Sequence, residues 1–342
     1  MTTSRPVPTI TTQWSEAAQA VNSAQRIVLM THFHPDGDAI GSLLGLANAL
    51  WARAKPGQQI DAAVDGGVPD FLQFVPGSDR VLPALTAGEW DLMISLDSSD
   101  EERTGECGIY GRAHSKTVIN LDHHRTNTFF GDLYLVDADA VSATEVVYEW
   151  ISHMGDPLTP EVAIPLLTGL VTDTIGFRVS SVKPSTLRLA QVLIEAGAPL
   201  NVIMARTLNS QKYITVEIWK RALPTVQLAD GVISADVTQQ AIAELGLTEM
   251  PDIGLVSWLV SVDEAGVSVV FKEQTNNTVE VSLRSKLPYD VASVAFALGG
   301  GGHKQASGAT VTGSLAEVRA KVLPMLTALI RDTQTAPEIS AS

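Results

Sequence analysis

Three short apolar runs each lead into ionisable residues, and no other feature of this chain limits its fold as strongly. "RIVLM" (26–30) leads into "THFHPDGDAIGS", "DLMISLD" (91–97) closes on Asp97, and "TVINLD" (117–122) closes on Asp122. Short apolar runs without strict alternation suit strands covered on both faces. Helical patterns such as 39–54 lie between them, so the expected fold is α/β, a parallel sheet flanked by helices in an N-terminal domain. In such sheets ligands gather outside the carboxyl ends of the strands, which is where Asp36, Asp97 and Asp122 fall.

A chain of 342 residues exceeds the usual size of one core, which makes two domains the natural division. Further helical patterns at 142–154, 160–172, 185–196 and 201–208 are punctuated by Pro184 and the stretch 197–199. Beyond residue 216 the texture turns to strands, with "VSVVFKEQ" (267–274), a turn at "TNNT" and "VEVSLRSK" (279–286) reading as a hairpin. A helix at 291–298 precedes the glycine run of "GGGGHKQASGA", and a last helix covers 315–331. The expected division is a catalytic, metal-binding domain over 1–187, a helical linker over 188–215, a smaller α+β C-terminal domain over 216–332 and a disordered tail over 333–342.

The formal net charge of −15 argues against a protein that coats long nucleic acid through a broad basic surface. An anionic ligand would need metal ions or a few placed cationic side chains inside a cleft. Cys107 is the only cysteine, so a disulfide framework and a cysteine-based zinc site are excluded and a reducing cytoplasm fits. No run approaches the roughly 18 apolar residues of a membrane span, and the N-terminal stretch lacks the apolar core of a signal peptide. The expectation is a soluble cytoplasmic protein with no membrane partner.

The ionisable residues at the strand ends carry the chemistry. His32 and Asp36 stand four apart with Asp38 two further on; Pro35 and Gly37 suit a turn that aims them at one point, although capping of the next helix is an equal alternative. Asp97 ends a very apolar run, where an ionised carboxylate needs a partner or a metal, whereas Asp100 reads as a turn residue nearer solvent. His123 and His124, as neighbours at a strand end, are expected to point apart, one as a ligand and one as a catalytic group. Asp173 follows an apolar helical stretch, an unfavourable place for a carboxylate unless a cation offsets it. Mixed carboxylate and imidazole donors suit Mn²⁺, with Mg²⁺, Co²⁺ or Zn²⁺ as alternatives. The set His32, Asp36, Asp38, Asp97, His123 and Asp173 is too large for one ion with an open position, but serves two ions bridged by a carboxylate. Such a pair suits in-line displacement at phosphorus.

These segments in this order resemble the DHH phosphoesterase superfamily, whose name comes from the motif matched by Asp122, His123 and His124. The downstream "VSLRSK" and "GGGGHKQASGA" resemble its DHHA1 domain, so the resemblance spans nearly the whole chain, and the two-domain plan is most similar to the NrnA-type oligoribonuclease and pAp phosphatase group. The resemblance implies that His32, Asp36 and Asp97 hold one Mn²⁺ and that Asp38, Asp97, His123 and Asp173 hold the other, Asp97 being the bridge. It further implies that Asp122 orients the histidines or the hydroxide from behind the ligands and that His124 faces the scissile phosphate, stabilising its charge or helping to protonate the leaving oxygen. His34 matches no ligand of the family and reads as a loop residue.

The glycine run 299–302 reads either as a flexible linker or as a nest whose backbone N–H groups converge on a phosphate. The resemblance places it over the active site and implies substrate contacts from Arg284, Gly301, Gly302, His303, Lys304 and Ser307, which would act as a length ruler. The implied reaction is attack by hydroxide on phosphorus in very short oligoribonucleotides, linear dinucleotides such as pApA or pGpG, and pAp, with no stable complex on long nucleic acid and with homodimerisation. A family II inorganic pyrophosphatase shares the metal pattern, but the glycine loop and the lack of a Ser-Arg-Lys segment disfavour it. A RecJ-like exonuclease would need a basic, aromatic-interleaved surface, and a non-catalytic nucleotide sensor would not need every ligand.

Overall fold

Each of the three apolar runs forms a strand in the computed structural model, which describes residues 10–335 apart from Glu249 and Asp252. The chain divides into two compact units, Met1–Ser210 and Gln211–Ser342. The first runs α1 (Ile10–Ser23), β1 (Arg26–Met30), α2 (Gly37–Ala52), β2 (Gln59–Ala63), β3 (Val81–Leu82), β4 (Trp90–Leu96), α3 (Gly105–Ala113), β5 (Ser115–Asp122), β6 (Leu133–Val136), α4 (Ala143–Met154), α5 (Pro160–Asp173), α6 (Pro184–Glu195) and α7 (Leu200–Thr207). Its six strands lie in the order β3-β2-β1-β4-β5-β6 and every pair is parallel.

The absence of alternation in "RIVLM" has a direct cause in this sheet. Ile27 and Leu29 enter one core with residues of α2, α4 and α5, while Val28 and Met30 enter another with Met93, Cys107 and Val118 on the opposite face. Successive side chains of a strand point to opposite faces, so a strand covered on both must be apolar throughout. Strands are added outward from β1 to β3 in one direction and from β4 to β6 in the other, which leaves a crevice between the carboxyl ends of β1 and β4.

Helices α2 and α5 frame that crevice. A Cβ on Gly41 would stand 2.6 Å from the Pro165 carbonyl oxygen and 2.8 Å from the Gly169 nitrogen, so glycine there lets the two backbones touch. The first turn of α2 and the last residue of α5 each supply an aspartate, Asp38 and Asp173.

The second unit comprises α8 (Tyr213–Ala222), β7 (Gln227–Ala229), β8 (Val232–Val237), α9 (Gln239–Ala243), α10 (Leu255–Leu259), β9 (Val267–Glu273), β10 (Thr278–Ser285), α11 (Val291–Ala297), β11 (Gly301–His303), β12 (Ala306–Thr312) and α12 (Leu315–Thr335). Its sheet has the order β11-β12-β10-β9-β8-β7, mixed because β8 and β9 run parallel while the remaining pairs are antiparallel. Val318, Val322, Leu326 and Ile330 recur every fourth residue along α12 and pack on this sheet.

The strand texture expected beyond residue 216 misses α8, where Ile214, Ile218 and Ala222 place one apolar stripe against the sheet at helical spacing. Of the tail expected from 333, residues 336–342 lie outside the described residues, and α12 continues to Thr335.

Candidate metal centre

The sheet reversal gathers the ionisable residues. His32 follows β1, Asp97 follows β4, and Asp122 ends β5 with His123 and His124 directly after it, so three adjacent strands deliver to one edge. Asp36 is the N-cap of α2, where one carboxylate oxygen accepts from the N–H groups of Asp38 and Ala39 at 3.0 Å each. Capping is thus compatible with ligation, because the other oxygen is left for a second partner.

His123 Nε2 stands 3.7 Å from Asp38 Oδ2, 3.6 Å from Asp97 Oδ1 and 3.7 Å from Asp173 Oδ2. His32 Nε2 stands 3.7 Å from the other Asp97 oxygen, Oδ2. Donor atoms of His32, Asp36 and Asp97 lie within 4.8 Å of one another, as do those of Asp38, His123 and Asp173. Asp97 borders both groups, one oxygen toward each.

These residues fit a cation better than they fit one another. The Nδ1 of His32 lies 2.9 Å from the Phe33 carbonyl oxygen, which can only accept, so Nδ1 carries the proton. Burial lowers the His32 pKa, which leaves a neutral ring whose Nε2 lone pair faces a carboxylate oxygen. Asp97 is 2% exposed, its Oδ1 has no hydrogen-bond partner among the described residues, and its backbone is left-handed at φ 53°. Burial, and then the charges of Asp38 and Asp36, push its pKa well above the carboxylate range. Asp38 is raised to about 7 by burial and by Asp173, although its two oxygens accept from the Ala143 N–H at 2.6 Å and the Thr144 N–H at 3.1 Å at the start of α4. Burial and the charge of Asp36 raise Asp173 to about 7. Divalent cations would neutralise this mutual repulsion, and the oxygen and imidazole donors suit Mn²⁺, Mg²⁺ or Co²⁺.

Asp122 stands behind the cluster, fully buried. It accepts from His124 Nδ1 at 2.8 Å and from Asn127 Nδ2 at 2.6 Å. Burial works to raise Asp122, but the His124 hydrogen bond and charge, helped by the Asn127 amide, hold it below the ordinary range. The same hydrogen bond raises His124 against the effect of burial. With Nδ1 committed, Nε2 is the nitrogen through which His124 can exchange a proton.

The expectation that His123 and His124 point apart is corrected, since their rings lie 4.5 Å apart. Strand alternation ends at Asp122, and both histidines follow in the loop, where a period of two no longer applies. Asp100 accepts from the Arg103 N–H at 2.9 Å as a turn residue, and His34 is an exposed loop residue at φ 54°. Two relevant side chains were not anticipated. Asn127 braces Asp122, and Arg103 opposes protonation of both His32 and His124 by its charge. Nothing in the local stretches "RTNT" and "EERTG" marks either one.

In the second unit, Ala306 of β12 pairs with Arg284 of β10 on one side and with His303 of β11 on the other, so Arg284 and His303 share one cross-strand row. Ser307 Oγ donates to the His303 carbonyl at 2.6 Å, and the Lys304 carbonyl accepts from the Val291 N–H at 2.8 Å. The nest reading of the glycine run is corrected for Gly299 and Gly300. The N–H groups of Gly299 and Gly300 donate to the carbonyls of Phe296 and Ala295, closing α11, while Gly301 and Gly302 belong to β11. A Cβ on Gly300 would lie 2.1 Å from the Gly308 oxygen, so this glycine serves the close approach of two backbone segments.

A model of the DHH family, N-terminal domain, matches residues 26–170, and a model of the DHHA1 domain matches residues 238–332. The bifunctional oligoribonuclease and PAP phosphatase NrnA of Thermus thermophilus is 33% identical over 84% of this chain and 84% of its own length. The Bacillus subtilis protein of the same name is 28% identical over 87% of this chain and 93% of its own. A solved exopolyphosphatase-related protein from Bacteroides fragilis aligns with a TM-score of 0.83 at 23% identity, covering 96% of this chain and 100% of that one, which is a likeness of fold.

Proposed function

This chain belongs to the DHH/DHHA1 phosphoesterases of the NrnA type, and on that premise we propose that it hydrolyses very short oligoribonucleotides, including linear dinucleotides such as pApA and pGpG, to nucleoside 5′-monophosphates and removes the 3′-phosphate of pAp. The observation that carries this reading is the convergence of His32, Asp36, Asp38, Asp97, His123 and Asp173 at one sheet edge around a buried Asp97 oxygen that lacks a hydrogen-bond donor. His32, Asp36 and Asp97 would hold one divalent ion, and Asp38, Asp97, His123 and Asp173 a second, Mn²⁺ in the first instance with Mg²⁺ or Co²⁺ as substitutes. Bound there, such ions supply Lewis acidity toward phosphoryl oxygens and acidify water.

The remaining chemistry falls to the chain's own groups. Hydrolysis forms one bond from phosphorus to the oxygen of water and breaks the bond to the ribose oxygen. His124, held through Nδ1 by Asp122, would give that leaving oxygen a proton from Nε2. Asn127 keeps Asp122 in position to hold His124. Arg284, Gly301, Gly302, His303, Lys304 and Ser307 are assigned to substrate contact, supported by the shared row of Arg284 and His303. A reducing, cytoplasmic setting suits a chain whose only cysteine, Cys107, is buried as a free thiol. Among the described residues no single helix is long and apolar enough to cross a membrane.

The test is mononucleotide release from RNAs of two to five nucleotides, beside pAp and pyrophosphate, with Mn²⁺ or with chelator, for the wild type and His124→Ala. Metal-dependent cleavage of the dinucleotide and pAp, lost in the variant, is the expected result. Turnover of pyrophosphate alone would move the chain to the pyrophosphatases, and nucleotide binding with no turnover would make it a sensor.

A further inference from the structure

A cavity of about 570 Å³ opens where the segments following β2 and β3 meet the loop that carries His32 and Asp36. We propose that this cavity is a nucleobase subsite in which a base of the substrate stacks on Phe33 and turns its polar edge toward Asp65 and Glu106. The proposal deepens the hydrolytic reading above and rests on it.

Phe33 directly follows His32, yet the residue is 42% exposed, and the His34 ring meets its ring edge-on at 5.2 Å. The loop is held in place, because the Phe33 N–H donates to the Arg103 carbonyl at 2.9 Å. Pro83 and Leu85 supply an apolar wall. Asp65 and Glu106 supply carboxylates, and no lining residue is lysine or arginine. A phosphate would be repelled there, whereas the amino and imino groups of a base are donors that carboxylates accept. Asp65 is fixed for that task by the N–H groups of Glu106 at 2.6 Å and Cys107 at 2.8 Å. The volume falls in the range of roughly 300–1,000 Å³ usual for small-molecule sites.

The experiment compares kcat/KM for pApA with that for two analogues, each abasic at one of its two riboses, in the wild type, Phe33→Ala and Phe33→Trp. Base stacking on an aromatic ring predicts that one of the abasic analogues is poorer than pApA by on the order of 10- to 100-fold in the wild type. That ratio should collapse toward unity in Phe33→Ala and persist in Phe33→Trp. A ratio that survives Phe33→Ala overturns the proposal. A second readout needs no turnover and no phosphate: the His34 ring resonances should shift with adenosine and stay put with ribose, and the adenosine shift should vanish in Phe33→Ala. Equal shifts from both, or none, also overturn the subsite. If the wild type cleaves no nucleotide at all, the hydrolytic reading fails while the adenosine titration still decides the subsite.

Discussion

At Asp97 a left-handed backbone, near-complete burial and an oxygen without a donor meet in one residue. In the metal-free fold burial and the charges of Asp38 and Asp36 oppose ionisation of this carboxylate, whereas asparagine carries no charge and tolerates the left-handed backbone as aspartate does. Asp97→Asn should therefore raise the melting temperature measured in chelator while lowering metal-dependent turnover by at least about 100-fold, the opposite signs marking a residue kept for chemistry. Asp38 and Asp173 extend the argument to pH. Both are raised to about 7 from an ordinary value of 3.8, so the stability they give the metal-free fold is present at low pH and lost as pH rises through about 7. Mn²⁺ bound at the proposed site would relieve that loss, and the rise in melting temperature on adding it should be larger near about pH 8 than near about pH 5; equal shifts would contradict the assigned repulsion. Asn127→Ala leaves one Asp122 oxygen without its amide donor, an expected loss of about 1–3 kcal/mol in denaturant unfolding together with lower kcat.

Helices α2 and α5 act as a pair, and their contact is as specific as any ligand. Gly41→Ala forces a methyl against the Pro165 and Gly169 backbone, an overpacking cost of about 1–3 kcal/mol, and it should also weaken Mn²⁺ binding, because Asp38 and Asp173 sit on these two helices. Isothermal titration beside thermal unfolding would check both effects. Elements of this kind were legible in the sequence to differing degrees. β1, β4 and β5 announce themselves as apolar runs, since both faces are covered, and α2 announces its start through Asp36. Helix α8 and the strand within the glycine run did not, because Ile214, Val216 and Ile218 alternate with Thr215 and Glu217 as they would in a strand, and the glycine-run strand depends on pairing with β12. Long-range bracing left no local trace at all: Asp38 accepts from Ala143, 105 positions away, and a linear reading cannot see that contact.

On the scale of the whole molecule, each unit buries its own apolar clusters, and every proposed metal ligand belongs to the first. A fragment of residues 1–210 should therefore fold and bind Mn²⁺ with the affinity of the full chain, while Arg284 and the β11–β12 hairpin are lost with the remainder; calorimetric titration of both proteins would check this. The order in which the chain supplies the cluster has its own consequence. His32 and Asp36 come first, Asp97 and His123 follow, and Asp173 arrives only with the last turn of α5. During translation, a nascent polypeptide that has not yet emerged past position 173 would lack one of the ligands proposed for the second ion. On that ligand set the proposed hydrolytic activity would be withheld from incomplete copies, with no inhibitor required.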